Sequence, residues 1–124
     1  MTPTHKATCH CGAVELAINL PEGLTGLKRC NCSICRRKGA IMVYTAKENL
    51  EVIKGGDKLS TYSFHTHAAQ HYFCSVCGIY THHIPRVNPD IFGVNVGCIE
   101  GVDMDNLDEI PVNDGINHPM DQKS

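Results

Sequence analysis

The sequence predicts a mainly β protein made of antiparallel sheets of short strands, with little helix. Short apolar runs recur between turn-forming residues, and the 124 residues include 11 Gly and 6 Pro but no Trp. Many short strands separated by turns, with hardly any helical periodicity, favour an antiparallel β fold. A chain of this length is expected to form one domain, residues 1–124, with a core from about 7 to 110.

Strands are predicted where apolar and polar residues alternate. Val14, Leu16 and Ile18 alternate with positions that include the polar residues Glu15 and Asn19. This is the period of a half-buried strand. Two strands are therefore expected between residues 7 and 20, on either side of a turn. Further strands are predicted at 40–45, 50–53, 59–64, 70–73, 79–84 and 91–96.

Turn and helix signals fill the intervals between these strands. Ser33 is expected to cap a single helical turn that Gly39 ends. Gly55-Gly56-Asp57 is typical of a hairpin turn that joins its two flanking strands. We also expect a short helical turn at 103–107 and an irregular tail from Pro111 onward.

Composition narrows the classes of partner. The formal net charge of -2 gives no overall attraction to nucleic acid, and the basic residues have few aromatics interleaved for base stacking. No apolar run approaches the roughly 18 residues that span a bilayer. Residues 1–8 lack the apolar segment of a secretory signal, so a cytoplasmic location is expected, with neither nucleic acid nor membrane as a partner.

The spacing of the cysteines is the strongest functional signal. Seven of the eight fall into Cys9-x-Cys11, Cys30-x-Cys32-x-x-Cys35 and Cys74-x-x-Cys77. Close pairs of this kind are typical of zinc knuckles, and without an export signal they favour metal ligands over disulfides.

Seven thiols divide naturally into four and three. In the assignment we favour, Cys9, Cys11, Cys74 and Cys77 close a structural zinc site, which leaves the segment 30–35 as a three-thiol site. A rival assignment joins Cys32 and Cys35 to the 74–77 pair as a zinc ribbon. Spacing favours the first assignment, because the rival leaves Cys9, Cys11 and Cys30 as a less coherent set, and both stay open at this point.

Three thiolates leave one position of a tetrahedral zinc open, which is typical of catalytic zinc. Such a centre is a poor generator of hydroxide and is better suited to holding another sulfur. Neighbouring cations would lower thiol pKa values and could receive carboxylates, so an acidic thiol is the expected ligand. The alternative is a second structural zinc completed by Cys98 or a histidine. The flanking cations are Lys28, Arg29, Arg36, Arg37 and Lys38.

Three motifs together resemble the glutathione-dependent formaldehyde-activating enzyme family, which also includes centromere protein V. They are Thr8-Cys9-His10-Cys11-Gly12-Ala13-Val14, Cys30-Asn31-Cys32-Ser33-Ile34-Cys35-Arg36 and Phe73-Cys74-Ser75-Val76-Cys77-Gly78. The likeness runs from about residue 7 to 101, and the combination is highly specific.

The resemblance implies a β-tent-like fold with two Zn2+ per chain. It assigns the structural zinc to Cys9, Cys11, Cys74 and Cys77, and the catalytic zinc to Cys30, Cys32 and Cys35. The implied activity is condensation of glutathione with formaldehyde to S-(hydroxymethyl)glutathione, which is a carbon–sulfur lyase reaction in reverse. A zinc-held thiolate would attack the aldehyde carbon while a hydrogen-bonding group stabilises the oxyanion.

The remaining candidates are cations and histidines. Arg36, Arg37 and Arg86 are predicted to bind the substrate carboxylates. His83 or His118 is a candidate general acid, and the residues from Asp114 to Pro119 are a candidate closing segment. Two further expectations concern strand geometry and burial. His82 and His83 should point to opposite faces, whereas His65, His67 and His71 could share one; Cys98 is expected to be a small buried side chain.

A second function class stays open at this stage. A non-catalytic zinc module that binds protein or nucleic acid would use the same cysteines. An apolar edge strand could also make the protein a homodimer, although no residue pattern requires one.

Overall fold

The computed structural model describes residues 2–107 and 110–114, which contain ten strands and one α-helix. The strands are β1 (His5–Thr8), β2 (Glu15–Ile18), β3 (Arg29–Cys30), β4 (Met42–Ala46), β5 (Leu50–Lys54), β6 (Leu59–Tyr62), β7 (Gln70–Cys74), β8 (Tyr80–Ile84), β9 (Ile91–Asn95) and β10 (Val112–Asn113). The helix α1 (Ser33–Lys38) lies between β3 and β4, and four short 3-10 turns lie in three other connections of the described chain, one of them at Met104–Asn106 as predicted.

The two larger sheets are antiparallel throughout. One has the strand order β1-β2-β5, and the other has the order β4-β9-β8-β7-β6. A third, two-stranded sheet pairs β3 with β10 in parallel. The predicted mainly β fold of short antiparallel strands with little helix is therefore confirmed.

The hydrophobic core joins side chains from both larger sheets. Leu16 and Ile18 of β2 are fully buried in the same cluster as Val43 of β4 and Val94 of β9. Burial of one such side chain contributes about 1.5–3 kcal/mol. The alternating apolar positions that predicted β2 are thus the ones that hold the two sheets together.

The predicted hairpin at Gly55-Gly56-Asp57 is wrong. β5 pairs with β2, whereas β6 pairs with β7 in the other sheet, so the turn carries the chain between sheets. Gly55 has φ +78°, and a Cβ built there would lie 1.8 Å from the carbonyl oxygen of Ala13. The glycine is needed for close approach to the neighbouring backbone and not for a two-residue hairpin.

The prediction of an irregular tail from Pro111 is also wrong in part. Val112 and Asn113 pair with Arg29 and Cys30, and the N–H of Arg29 donates to the carbonyl of Pro111 over 2.9 Å. A two-residue parallel pair is too short to leave a periodic pattern, so sequence alone could not reveal it. It brings the C-terminal segment beside the second cysteine knuckle.

Helix α1 covers the predicted residues and ends as expected, but its N-cap differs from the predicted one. Gly39 adopts a left-handed conformation with φ +62°, and its N–H donates to the carbonyl of Cys35. Cys32, and not Ser33, occupies the N-cap position. The turn that brings Cys32 and Cys35 together sets where the helix starts, and this overrides the capping preference of serine. Within the described residues, no helix has the length and apolar character needed to cross a membrane.

Replacing Gly55 with Ala tests the close approach. The added methyl group would clash with the Ala13 carbonyl in a backbone conformation that alanine disfavours, so we expect a loss of about 2 kcal/mol or more of unfolding free energy. Denaturant unfolding measures this loss. Gly56→Ala is the matched control, since its nearest neighbour would be a Val52 methyl group 3.7 Å away; equal effects at both positions would contradict the interpretation.

Candidate functional site

Four cysteines from two distant parts of the chain form one sulfur cluster. The sulfur atoms of Cys9, Cys11, Cys74 and Cys77 all lie within 4.8 Å of one another. Cys11 Sγ is 3.7 Å from both Cys9 Sγ and Cys74 Sγ. The cluster joins the β1–β2 turn to the β7–β8 turn, and so connects the two large sheets.

At each turn, a backbone N–H donates a hydrogen bond to the sulfur of the first cysteine of the pair. The backbone N–H of Val14 donates to Cys9 Sγ over 3.3 Å, and that of Val76 donates to Cys74 Sγ over 3.4 Å. Each Cys pair is followed by a glycine with φ +79°, Gly12 and Gly78. A left-handed residue after the second cysteine turns the chain back into the next strand, and glycine adopts that conformation without strain.

The four-sulfur cluster fits zinc. Four thiolates at the usual Zn–S distance of about 2.3 Å in a tetrahedron lie about 3.8 Å apart, close to the 3.7 Å separations observed. The backbone N–H groups of Cys11 and Ile79 lower the pKa of Cys77 to about 6, which favours the thiolate form that a metal binds. No disulfide joins any of the eight cysteines, all of which are described.

Three further cysteines form a second cluster. Cys30 ends β3, Cys32 caps α1 and Cys35 lies in its first turn. Their sulfur atoms also lie within 4.8 Å of one another. The grouping into four and three is therefore the first of the two assignments considered from the sequence, and the ribbon pairing of Cys32 and Cys35 with the 74–77 knuckle is wrong.

The three-sulfur cluster lies in the wall of a cavity of about 750 Å³, within the range of small-molecule sites. Several segments that are distant in the sequence contribute to its lining. The residues are Cys30, Cys32, Ser33, Ile34, Cys35, Tyr44, Phe64, His65, Thr66, Ala69, His71, His83, Pro85, Arg86, Val87 and Asp114. No cysteine of the four-sulfur cluster lines this cavity, so the two clusters differ in their access to a ligand.

The electrostatics of the three thiols call for a cation. A hydrogen bond from Cys35 lowers the pKa of Cys32 to about 5. The same bond, together with burial, raises the pKa of Cys35, and burial raises that of Cys30. Cys32 thus ionises readily, whereas Cys30 and Cys35 keep their protons. Zinc is a group that would allow all three to be thiolates, and three sulfurs at this spacing fit it.

Lys38 is a site residue whose role the sequence did not reveal. Its Nζ atom lies 2.6 Å from His71 Nδ1 and 3.5 Å from the centre of the Tyr80 ring. Burial lowers the pKa of Lys38 to about 8, although the negative charges of the nearby cysteine thiolates act to raise it. The sequence placed Lys38 only in a basic cluster, because the contact with His71 joins a helix to a strand far along the chain.

The two adjacent histidines of β8 face different surroundings, as predicted. His83 lines the cavity and stacks on His71, with ring centres 5.5 Å apart. His82 stacks on Tyr72 at 4.7 Å and does not line the cavity. Burial lowers the pKa of His82 to about 4 and that of His83 to about 3, so both rings are neutral at pH 7.

The other predicted histidine set is not on one strand face. His65 and His67 lie in the connection between β6 and β7 with φ +56° and +58°, and His71 is buried on β7. The expectation that the three histidines occupy alternating positions on strands is therefore wrong. The chain turns at His65 and His67, whereas alternation along a strand requires an extended backbone. His65 and His71 nevertheless both line the cavity.

The three predicted arginines lie in different places. Arg86 lines the cavity. Arg37 donates to the carbonyl of Ser33 over 2.8 Å and lines a separate hollow of about 310 Å³ beside the helix. Arg36 is exposed on α1 and lines neither space.

The C-terminal segment reaches the cavity through Asp114. Its carboxylate accepts a hydrogen bond from Asn31 at 3.4 Å, and it forms part of the wall. The rest of the candidate closing segment, including His118, lies outside the described residues. Cys98 is buried beside Asn95 and belongs to neither sulfur cluster of the described chain, as expected for a small core side chain.

Comparison with known proteins shows similarity to one family of enzymes and to a solved structure. A family model described as glutathione-dependent formaldehyde-activating enzyme matches residues 4–110. The crystal structure of a Rhodobacter sphaeroides protein is 48% identical in sequence and superposes with a TM-score of 0.84. That match covers 87% of this chain and 99% of the other.

Metal analysis of single variants tests the two clusters separately. We expect two zinc ions per chain, and one in Cys32→Ala with little change in melting temperature, because the three-sulfur cluster lies within one knuckle and its helix. Cys74→Ala should unfold the domain, since it breaks the link between the two sheets. Cys98→Ala is the control for loss of a buried thiol; a single zinc in the unmodified protein, or a folded Cys74→Ala protein with both metals, would contradict the assignment.

Proposed function

The chain belongs to the glutathione-dependent formaldehyde-activating enzyme family, and we propose that it joins glutathione, or a similar acidic thiol, to formaldehyde or a related small aldehyde. In reverse, the enzyme is a carbon–sulfur lyase. The observation that carries the proposal is the position of the Cys30, Cys32 and Cys35 sulfurs in the wall of the 750 Å³ cavity. A purely structural metal site would need no such opening.

Each cluster has its own role in this proposal. Cys9, Cys11, Cys74 and Cys77 hold a structural zinc, and Cys30, Cys32 and Cys35 hold the catalytic one. When bound there, zinc would supply positive charge and an open position that favour the thiolate form of the substrate. The cytoplasm, where thiols stay reduced, is the location that suits seven ligand cysteines.

The reaction is an addition without an oxidant or reductant. The thiol loses its proton, the sulfur forms a bond to the aldehyde carbon, and the C=O π electron pair moves onto the oxygen. That oxygen then takes up one proton to become a hydroxyl group. Negative charge passes from sulfur to oxygen, so the chain needs groups that stabilise each in turn.

The cavity wall offers charges that suit glutathione. Its two carboxylates require cations, and Arg86 is the predicted cation that lines the cavity. Asp114 in the same wall would suit the α-ammonium group of glutathione. Arg36 and Arg37 lie outside the lining, and in this proposal they act on carboxylates that extend beyond the cavity rim or through their charge alone.

Glutathione titration of the zinc-loaded protein tests the proposed function. We expect saturable binding by calorimetry, and formation of S-(hydroxymethyl)glutathione faster than the uncatalysed reaction when formaldehyde is added. Cys32→Ala should abolish both, because it removes a ligand of the catalytic metal. Binding of glutathione that persists in Cys32→Ala, or an unaccelerated reaction, would sink the proposal.

Arg86→Gln tests the carboxylate site. Loss of a charge-assisted hydrogen bond should weaken glutathione binding about tenfold, with a smaller effect on cysteamine, a thiol without carboxylates. The dissociation constants are measured by calorimetry. Lys54→Gln removes an exposed cation from β5 and is the control; equal weakening for both thiols would rule out a carboxylate contact at Arg86.

A further inference from the structure

The clearest unexplained polar atom in the described part of the chain is Nε2 of His71. It is buried and has no hydrogen-bond partner, and no other buried side-chain nitrogen or oxygen among the described residues lacks one. The residue as a whole is only 5% exposed. A buried donor without a partner is unfavourable for folding. Such atoms are often kept because a ligand completes them.

The contact with Lys38 determines which nitrogen of His71 carries the proton. An ammonium group has only donors, so Nδ1 must accept the 2.6 Å hydrogen bond from Lys38. Burial, and to a smaller extent the charge of Lys38, lowers the pKa of His71 to about 4. The ring is therefore neutral at pH 7. A neutral imidazole that accepts at Nδ1 carries its one proton on Nε2. The unpartnered atom is thus an N–H donor.

The ring is held rigidly in the cavity wall. Phe64 stacks on His71 with ring centres 5.9 Å apart, and His83 stacks at 5.5 Å. Tyr80 holds His83 through its Nδ1 atom and also lies beneath Lys38. All three rings of the stack line the cavity that contains the three-sulfur cluster.

We propose that the Nε2–H group of His71, with its tautomer set by Lys38, donates a hydrogen bond to the aldehyde-derived oxygen of the substrate. This inference rests on the proposed function and assigns one catalytic residue within it. The donor faces the oxygen on which negative charge develops, and the Lys38 ammonium behind the ring strengthens it. His71 touches the reacting oxygen, whereas Lys38 is a positioning residue that acts through the imidazole.

Substitution of His71 separates this role from general packing. In the zinc-loaded full chain, His71→Phe keeps the aromatic stack but removes the donor, so kcat should fall about 100-fold or more while KM for glutathione changes less than about threefold. His71→Gln places an amide N–H near the Nε2 position and should restore part of kcat. His82→Phe removes an equally buried histidine outside the cavity and should leave kcat within about threefold. A His71→Phe protein as active as His82→Phe would overturn the proposal.

Nuclear magnetic resonance of the ring nitrogens tests the proposal without turnover. Long-range ¹H–¹⁵N correlations should show His71 protonated at Nε2, and Lys38→Met should lose this preference while Lys38→Arg keeps it. Adding S-(hydroxymethyl)glutathione, formed from glutathione and formaldehyde in the same tube, should shift the Nε2–H resonance. S-methylglutathione, which lacks the hydroxyl group, should not. A proton on Nδ1 in the unmodified protein, or equal shifts with both compounds, would exclude the donor role.

The two sets of results distinguish the two hypotheses. Failure of the proposed function would appear as no glutathione binding and no catalysed addition in the unmodified protein. Failure of the further inference would appear as normal catalysis that His71→Phe does not affect, or as the wrong tautomer. If His71→Phe does not fold, the resonance experiments on the unmodified protein and on Lys38→Met still decide the question.

Discussion

Thiolate groups held close together repel one another unless a cation accompanies them, and this constraint bears on both sulfur clusters of the fold. Two groups of sulfurs, each within 4.8 Å, occur in a chain of modest core. The four-sulfur cluster connects turns of the two large sheets, where packing alone would have to hold a long loop closed. A metal at this point would stabilise the fold most, because it would restrict the longest stretch of unfolded chain.

The same chemistry has different consequences at the second cluster. Cys30, Cys32 and Cys35 lie within one short knuckle and its helix, so a metal there restricts little chain and contributes less to stability. What this cluster has instead is a cavity, with cations and neutral histidines in and behind its wall. One site is thus suited to holding the protein together, and the other to binding a ligand.

Lys38 links the helix of the three-sulfur cluster to the histidines of the sheet. Its ammonium lies between thiols that favour its charge and a buried environment that opposes it. The hydrogen bond to His71 and the contact with the face of the Tyr80 ring both stabilise the buried ammonium group. One cation is therefore able to favour thiolate formation on one side and to orient an imidazole on the other.

Much of the local structure followed from sequence patterns. Alternating apolar residues predicted most strands to within two or three residues, and Gly39 marked the end of the helix. Cysteine spacing identified seven candidate ligands, and the favoured grouping of them agrees with the sulfur distances. The turn at Gly55, which does not form the predicted hairpin, and the short β3–β10 pair show the limit, because both depend on which distant strand a segment pairs with.

By itself the sequence predicted most of the strands and identified the seven clustered cysteines, since periodicity and close spacing are local properties of the chain. Only the tertiary structure decided which elements share a sheet, that Arg86 and Asp114 meet in one wall, and that Lys38 contacts His71. The two residues of each of these pairs are 28 and 33 positions apart in the chain. No local pattern encodes such a contact, because it arises from how the two sheets pack around a common core.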